Sequence, residues 1–481
     1  MTALTDPPSP APAAVAGPQP LGAFGMPAGL LLLPGTDPAT ESARASLVAG
    51  RLPDPWPERL SDLRVVHEDP DDVSGLFPGD DPVDRYNRWV LDPATADAAT
   101  VRADLPAAYA PLVDVVAYSV GLTDAGALPT TVDDQVAPEV AALLLAAGAS
   151  ARLEAGDAVT ASALLADAID VAETGAPALA AVLRGNHGAL LHEHGLDPAR
   201  AGAELARATA DLAGTDLRTT RAELLHLRGV REHERAAEAG EPLQGAMALY
   251  YDALQLVTER SAPYLWASVQ LDLAAAQLAS PMTGASDQLR LGVAAQALRA
   301  CRRVFDPETT PGPWSTATLN LANALVYLPS THQGDNLVEA VELYEEVLAS
   351  GVRDDDPLGR ARLLANQGNT LAHLGMFDQA RARLVEARFL FEEHLDHDGA
   401  MAVRSVLDEI ARTQVGDPDD ELLDLARQAE QMGRVPVDDG AFTSGMGVRV
   451  EPGTGTGTGA APPAEAQRRA KVTRLSPDEP R

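Results

Sequence analysis

The chain is predicted to be all-α: an α-solenoid of stacked helical hairpins with disordered N- and C-terminal tails. Three observations predict it. Apolar residues make up 46% of the 481 residues but aromatic ones only 4%, which suits helices packed through Ala and Leu rather than strands, which favour aromatic and β-branched residues. Residues 361–393 place Gly368, Leu371, Gly375, Phe377, Ala380, Leu384 and Ala387 at the spacing of a helix-turn-helix hairpin, with small residues where two helices touch and larger ones where they interlock. The unit recurs at least five more times upstream, and a hairpin unable to bury its apolar face alone is stabilised by stacking on neighbours.

Residues 1–39 are read as a disordered Pro/Ala-rich lead, of which residues 1–20 have a composition that cannot bury enough surface to order itself. Its apolar run at 21–35 is short, interrupted by Pro27 and preceded by no Lys or Arg, so a secretory signal is not expected. Nothing reaches the roughly 18 continuous apolar residues of a membrane span. A cytoplasmic location is expected.

Residues 40–136 read as a small, partly helical N-terminal module. Trp56, Tyr86 and Trp89 sit among Pro, Asp and Gly, and one helix is expected over 104–121, capped by Asp104, with Leu112, Val115 and Val116 at helical spacing. The acidic group Glu68, Asp69, Asp71, Asp72, Asp80, Asp81 and Asp84 lacks the glycine and terminal glutamate of a calcium loop, and is read as a solvated charge run.

Residues 137–395 hold about six hairpins. The first has helices near 138–154 and 158–173, with Ala149, Gly156, Ala161, Leu165 and Ala168 at the repeated positions. Asn186, Gly188, Leu191, Gly195, Leu205 and Ala208 mark the second; Gly229, Ala246, Tyr250 and Ala253, around a longer turn, mark the third. The fourth carries Ala274, Ala294, Leu298 and Cys301 about the long turn 281–286, and the fifth Ala322, Leu325, Ala340, Tyr344 and Val347 about the turn 329–334. The unit at 361 is the sixth. In tandem these units resemble the tetratricopeptide repeat (TPR) family, whose repeats are about 34 residues long. That resemblance implies a right-handed superhelix whose first helices line a concave groove. Leu364 and Glu392 replace the large aromatic and the closing proline common in that family.

Residues 396–434 are expected to be capping helices, with Val403, Val406, Leu407 and Ile410 on one face and a further helix opened by Asp417 and Pro418 and stopped by Gly433. Residues 435–481 read as a disordered Gly/Pro-rich tail ending in AQRRAKVTRLSPDEPR, a basic segment on an otherwise acidic chain.

The net charge of -33 makes nucleic acid and anionic membrane poor partners. Lys471 is the only lysine, which removes the P-loop and lysine-dependent chemistry from the folded part; Gly-x-Ser-x-Gly and His-Glu-x-x-His motifs are absent. Cys301, the single cysteine, rules out an intramolecular disulfide or a thiolate zinc site within one chain, and is read as a small buried helix residue. The expectation is a chain with no enzymatic activity, no cofactor and no metal. His192, Glu193 and His194, and one hairpin later His226, His233 and Glu234, offer donors suited to zinc or nickel. Adjacent helices about 10 Å apart work against their convergence, so a metal chaperone or enzyme remains only an alternative.

A more specific pattern is NLAN at 320–323, matched by NQGN at 366–369 and in its first half by NHGA at 186–189. Asparagines three residues apart share a helical face, and each amide both donates and accepts. The arrangement resembles the asparagine ladder of peptide-binding TPRs such as those of kinesin light chains. The resemblance implies that Asn320, Asn323, Asn366 and Asn369, with Asn186, clamp a partner's backbone, while Arg362, His373, Tyr327, His226, His233 and Glu234 on the same inner face select its side chains. Asp272 and Ala275 interrupt the row. Two readings stay open at this point: the asparagines grip a partner, or they bond neighbouring elements and stiffen the stack. The expected function is an adaptor or scaffold for a protein or peptide of unknown identity, with a ligand-responsive regulator as another alternative. Oligomeric state is left undetermined.

Overall fold

The computed structural model describes residues 31–35, 40–68, 75–128, 133, 135–280, 285–330 and 332–415. Among these residues the protein is all-α, with eighteen α-helices and no extended strand. They form two compact units, one of residues 31–228 and 252–262, the other of residues 229–251 and 263–415. The expected helix at 417–433, the lead before residue 31, the C-terminal tail, and Asp69, Asp71 and Asp72 of the acidic group lie outside the described residues.

The first unit opens with α1 (Glu41–Val48), α2 (Ser61–Glu68), α3 (Pro82–Leu91), α4 (Ala98–Asp104) and α5 (Leu112–Ser119). The single helix expected over 104–121 is therefore divided. Pro106 and Pro111 cannot donate to a helical ladder, so α4 stops at Asp104 and α5 begins only after Pro111. Asp104 does not cap a following helix but pairs with Arg85 at 3.0 Å. More helix forms here than periodicity suggested because Asp81 and Asp97 cap α3 and α4 through their carboxylates.

The module's core draws on Leu31, Leu32 and Leu33, which pack with the fully buried Tyr86 and Trp89. Asn87, itself buried, accepts from the Leu33 amide at 2.8 Å and donates to the Leu33 carbonyl at 2.9 Å, which satisfies this segment's backbone. The same core continues into α6 (Pro138–Glu154) through Val140, Leu144 and Ala147. Arg44 of α1 pairs with the buried Glu139 of α6 at 3.2 Å and lies 5.7 Å from the centre of the Tyr109 ring.

Helices α7 (Ala158–Glu173), α8 (Pro177–Glu193) and α9 (Pro198–Asp211) follow, and α6–α7 and α8–α9 pack as hairpins, with α7 also against α8. The module reaches these hairpins too. α1 touches α8, and the loop after α1 is clipped to the turn after α9 by Asp216, whose amide donates to Gly50 O and whose carboxylate accepts from Leu52 N, both at 2.8 Å. Gly50 has φ +71 and a Cβ there would lie 2.9 Å from Ala178 Cβ, so only glycine fits.

Helix α10 (Arg218–Ala239) contributes Arg218–Arg228 to the first unit and Gly229–Ala239 to the second. The second unit continues through α11 (Gln244–Leu254, its residues to Tyr251), α12 (Pro263–Ala279), α13 (Ala285–Val304), α14 (Pro311–Tyr327), α15 (Gln333–Ala349), α16 (Pro357–His373), α17 (Phe377–Glu393) and α18 (His397–Val415). Each helix from α12 to α18 packs on the next, and the first helices α12, α14, α16 and α18 also touch in succession. Such stacking is the α-solenoid arrangement. The small residues work as the pattern required: a Cβ on Gly368 would lie 2.7 Å from Leu384 Cγ, and one on Gly229 2.4 Å from Tyr250 Cε1. Cys301 is fully buried on α13, its thiol donating to Ala267 O at 3.3 Å.

Candidate functional site

In the second unit α14 and α16 lie side by side and bring the asparagines of consecutive hairpins together. Asn323 Oδ1 accepts two hydrogen bonds, from the Tyr344 hydroxyl at 2.6 Å and from Asn366 Nδ2 at 3.2 Å. Tyr344, on α15, is almost fully buried, and that burial pushes its hydroxyl well above the ordinary phenol range. The hydroxyl therefore stays a neutral donor. Asn366 also sets the local ladder, its carbonyl accepting from Thr370 Oγ1 at 2.8 Å.

The other two asparagines differ. Asn320 is buried, 4% exposed, rather than displayed on an open wall, and its Nδ2 has no hydrogen-bond partner among the described residues. Asn369 is half-buried and takes no part in the Asn323–Asn366 pair. Tyr327 and His373, at the ends of α14 and α16, are exposed, and Arg362 is half-buried.

Also within the second unit, His233 of α10 is buried and its Nδ1 lacks a partner among the described residues. Burial lowers its pKa, against the opposing pull of Asp272 and Glu234. Asp272, which stands where an asparagine would continue the row, is itself buried, while Glu234 is exposed.

In the first unit, Asn186 is exposed on α8 and has no asparagine beside it in the pattern, and His226 is buried on α10. Glu223, one turn before His226, was not singled out by sequence. It is half-buried, and desolvation pushes its carboxyl up to about 7, with His226 pulling the other way. The i, i+3 spacing from His226 was the available signal.

A second feature missed by sequence is the polar hub of Arg184. This buried guanidinium pairs with Glu173, with Glu204 at 3.3 Å and with Asp211 at 3.2 Å, and so ties α8 to α7 and α9. Beside it the fully buried His187 meets Ser162 Oγ through Nε2 at 2.9 Å, while Nδ1 lies 3.8 Å from Glu204. These residues hold helices together and present no open donor set. Among the described residues no group of three or more His, Cys, Asp and Glu side chains is placed to hold a metal ion, and no helix is long and apolar enough to cross a membrane.

Comparison with protein-family models finds no match for the chain, and comparison with curated proteins finds none either.

Proposed function

We propose that the protein is a non-catalytic adaptor of the tetratricopeptide type, which holds an extended peptide segment of a partner along the first helices of its second unit. The observation that carries this reading is Asn320. A buried amide donor left without an acceptor costs about 1–3 kcal/mol, and turning the Asn320 side chain outward to a peptide carbonyl laid along α14 supplies one. Asn369 offers a further amide one hairpin on, and Tyr327 and His373 stand exposed on the same two helices. Asn323 and Asn366 fit a different role, since their mutual bond braces α14 against α16 beneath such a segment.

Binding through amides to peptide groups reads backbone rather than side chains, which suits capture of varied segments in one extended conformation. The net charge of -33 favours a neutral or basic partner.

The test uses the full chain against an array of extended peptides of mixed sequence, followed by titration of the tightest. Asn369→Ala is expected to weaken that peptide at least tenfold, with the melting temperature within about 2 °C of the parent. Unchanged affinity in Asn369→Ala and in Asn320→Ala together would overturn the reading.

A further inference from the structure

Second helices of successive hairpins in the second unit are joined by ion pairs that recur in register. Ala294, Ala340 and Ala380 are equivalent, fully buried positions on α13, α15 and α17. Five residues beyond the first two stand Arg299 and Glu345. Arg299 reaches forward to Glu339 of α15 at 2.9 Å, and Glu345 reaches forward to Arg383 of α17 at 2.9 Å. This position therefore faces the next second helix each time.

On α17 the equivalent residue is Val385, apolar and 45% exposed, and one turn later Phe389 is 63% exposed. Leu395, between α17 and α18, and Met401 of α18 are exposed too. Helix α18 occupies the first-helix place of another hairpin: it packs on α17 and α16, as α16 packs on α15 and α14. Among the described residues it has no second helix. The forward face of α17 thus presents Val385 and Phe389, with Arg388 paired to Glu392 of its own helix, at the step where the series has no successor among the described residues.

We propose that this face is covered by the chain's own residues 419–432, DDELLDLARQAEQM, packed as the second helix after α18. In that stretch Leu422, Leu425, Ala426 and Ala429 stand at i, i+3, i+4 and i+7, one apolar stripe of helical period. Asp417 and Pro418 open it as Asp356 and Pro357 open α16, where the aspartate caps the first turn. Only residues 416–418 separate it from the end of α18, so docking is intramolecular at an effective concentration in the millimolar range. A second copy of the chain has no such advantage. The salt link of the earlier steps is replaced here by apolar contact between Val385 and Phe389 and the leucines of the stripe.

Hydrogen exchange on the full-length protein tests this. Amides of 421–432 are expected to exchange at least tenfold more slowly than in the same sequence as a free peptide. In Phe389→Asp they are expected to reach the free-peptide rate while amides of α16 stay unchanged, the latter showing that the fold is intact. Free-peptide exchange in the parent overturns the proposal, as does protection that persists in Phe389→Asp and Val385→Asp. Protection that appears only with rising protein concentration, together with a dimer lost in Phe389→Asp, assigns the face to a second copy and also overturns it.

Discussion

The Asn366 amide donates across 3.2 Å to Asn323 Oδ1, an oxygen that already accepts the buried Tyr344 hydroxyl at 2.6 Å. Two residues expected to face a partner are bonded to each other and anchored from below. Asn323→Ala leaves the Tyr344 hydroxyl buried without its acceptor, so a loss of about 1–3 kcal/mol is expected. Asn369→Ala removes neither bond and is expected to fall within about 0.5 kcal/mol of the parent. Urea unfolding of the two variants checks the contrast.

The glycines separate by what lies over them. In Gly368→Ala the new Cβ meets Leu384 Cγ at 2.7 Å and the Ala380 carbonyl at 3.2 Å, so a loss of about 1–3 kcal/mol is expected. Gly148 lies inside α6, and its nearest neighbour to a Cβ is Leu164 Cδ1 at 3.7 Å, an ordinary contact. Gly148→Ala is expected to raise stability by about 0.5–1 kcal/mol through helix propensity. Melting temperatures should move in opposite directions.

Removing Arg184 takes from Glu173, Glu204 and Asp211 the one buried cation they share, leaving only the more exposed Arg207 beside Glu173 and Asp211 and Arg200 beside Glu204. Arg184→Met is expected to destabilise by about 2–4 kcal/mol, somewhat below the range for a fully buried pair because Glu173 and Asp211 keep contact with water. Added salt should narrow the difference from the parent by screening the carboxylates. Denaturant titration at two ionic strengths measures both.

Glu223 carries a pH dependence of definite sign. Its folded pKa is raised to about 7 from the ordinary glutamate value of 4.5. The contribution is fully present below 4.5 and is lost as pH rises through 7, where ionisation of the desolvated carboxyl works against the fold. Glu223→Gln is therefore expected to match the parent near pH 4.5 and to exceed it at pH 8 by roughly 1–3 kcal/mol. The buried His187 and His233, both lowered, act in the other direction. They favour folding above about 6.5 and lose that contribution as pH falls below it. Melting temperature against pH for Glu223→Gln and the parent isolates the glutamate.

Much of the stack was legible because its determinants are local and periodic. Ala161, Leu205, Ala340 and Ala387 recur at helical spacing, and a helix cannot bury such a face without a neighbour. The helices at 138–154 and 158–173 have the bounds the pattern indicated. The N-terminal module was far less legible, because Asn87 pairing with Leu33, or Arg44 with Glu139, joins residues 54 and 95 positions apart and leaves no period to read.

The sequence alone determined that the chain is helical, that hairpins repeat, and which faces of α14 and α16 carry asparagine. It did so because side-chain spacing along a helix fixes which residues share a face. Only the tertiary structure decided which of those amides are already used. The packing of α14 against α15 and α16 gives Asn323 to Tyr344 and Asn366, while Asn320 Nδ2 lies buried without an acceptor among the described residues. Whether an amide is a strut or an open donor depends on the helix beside it, and that neighbour lies a whole hairpin away in the chain.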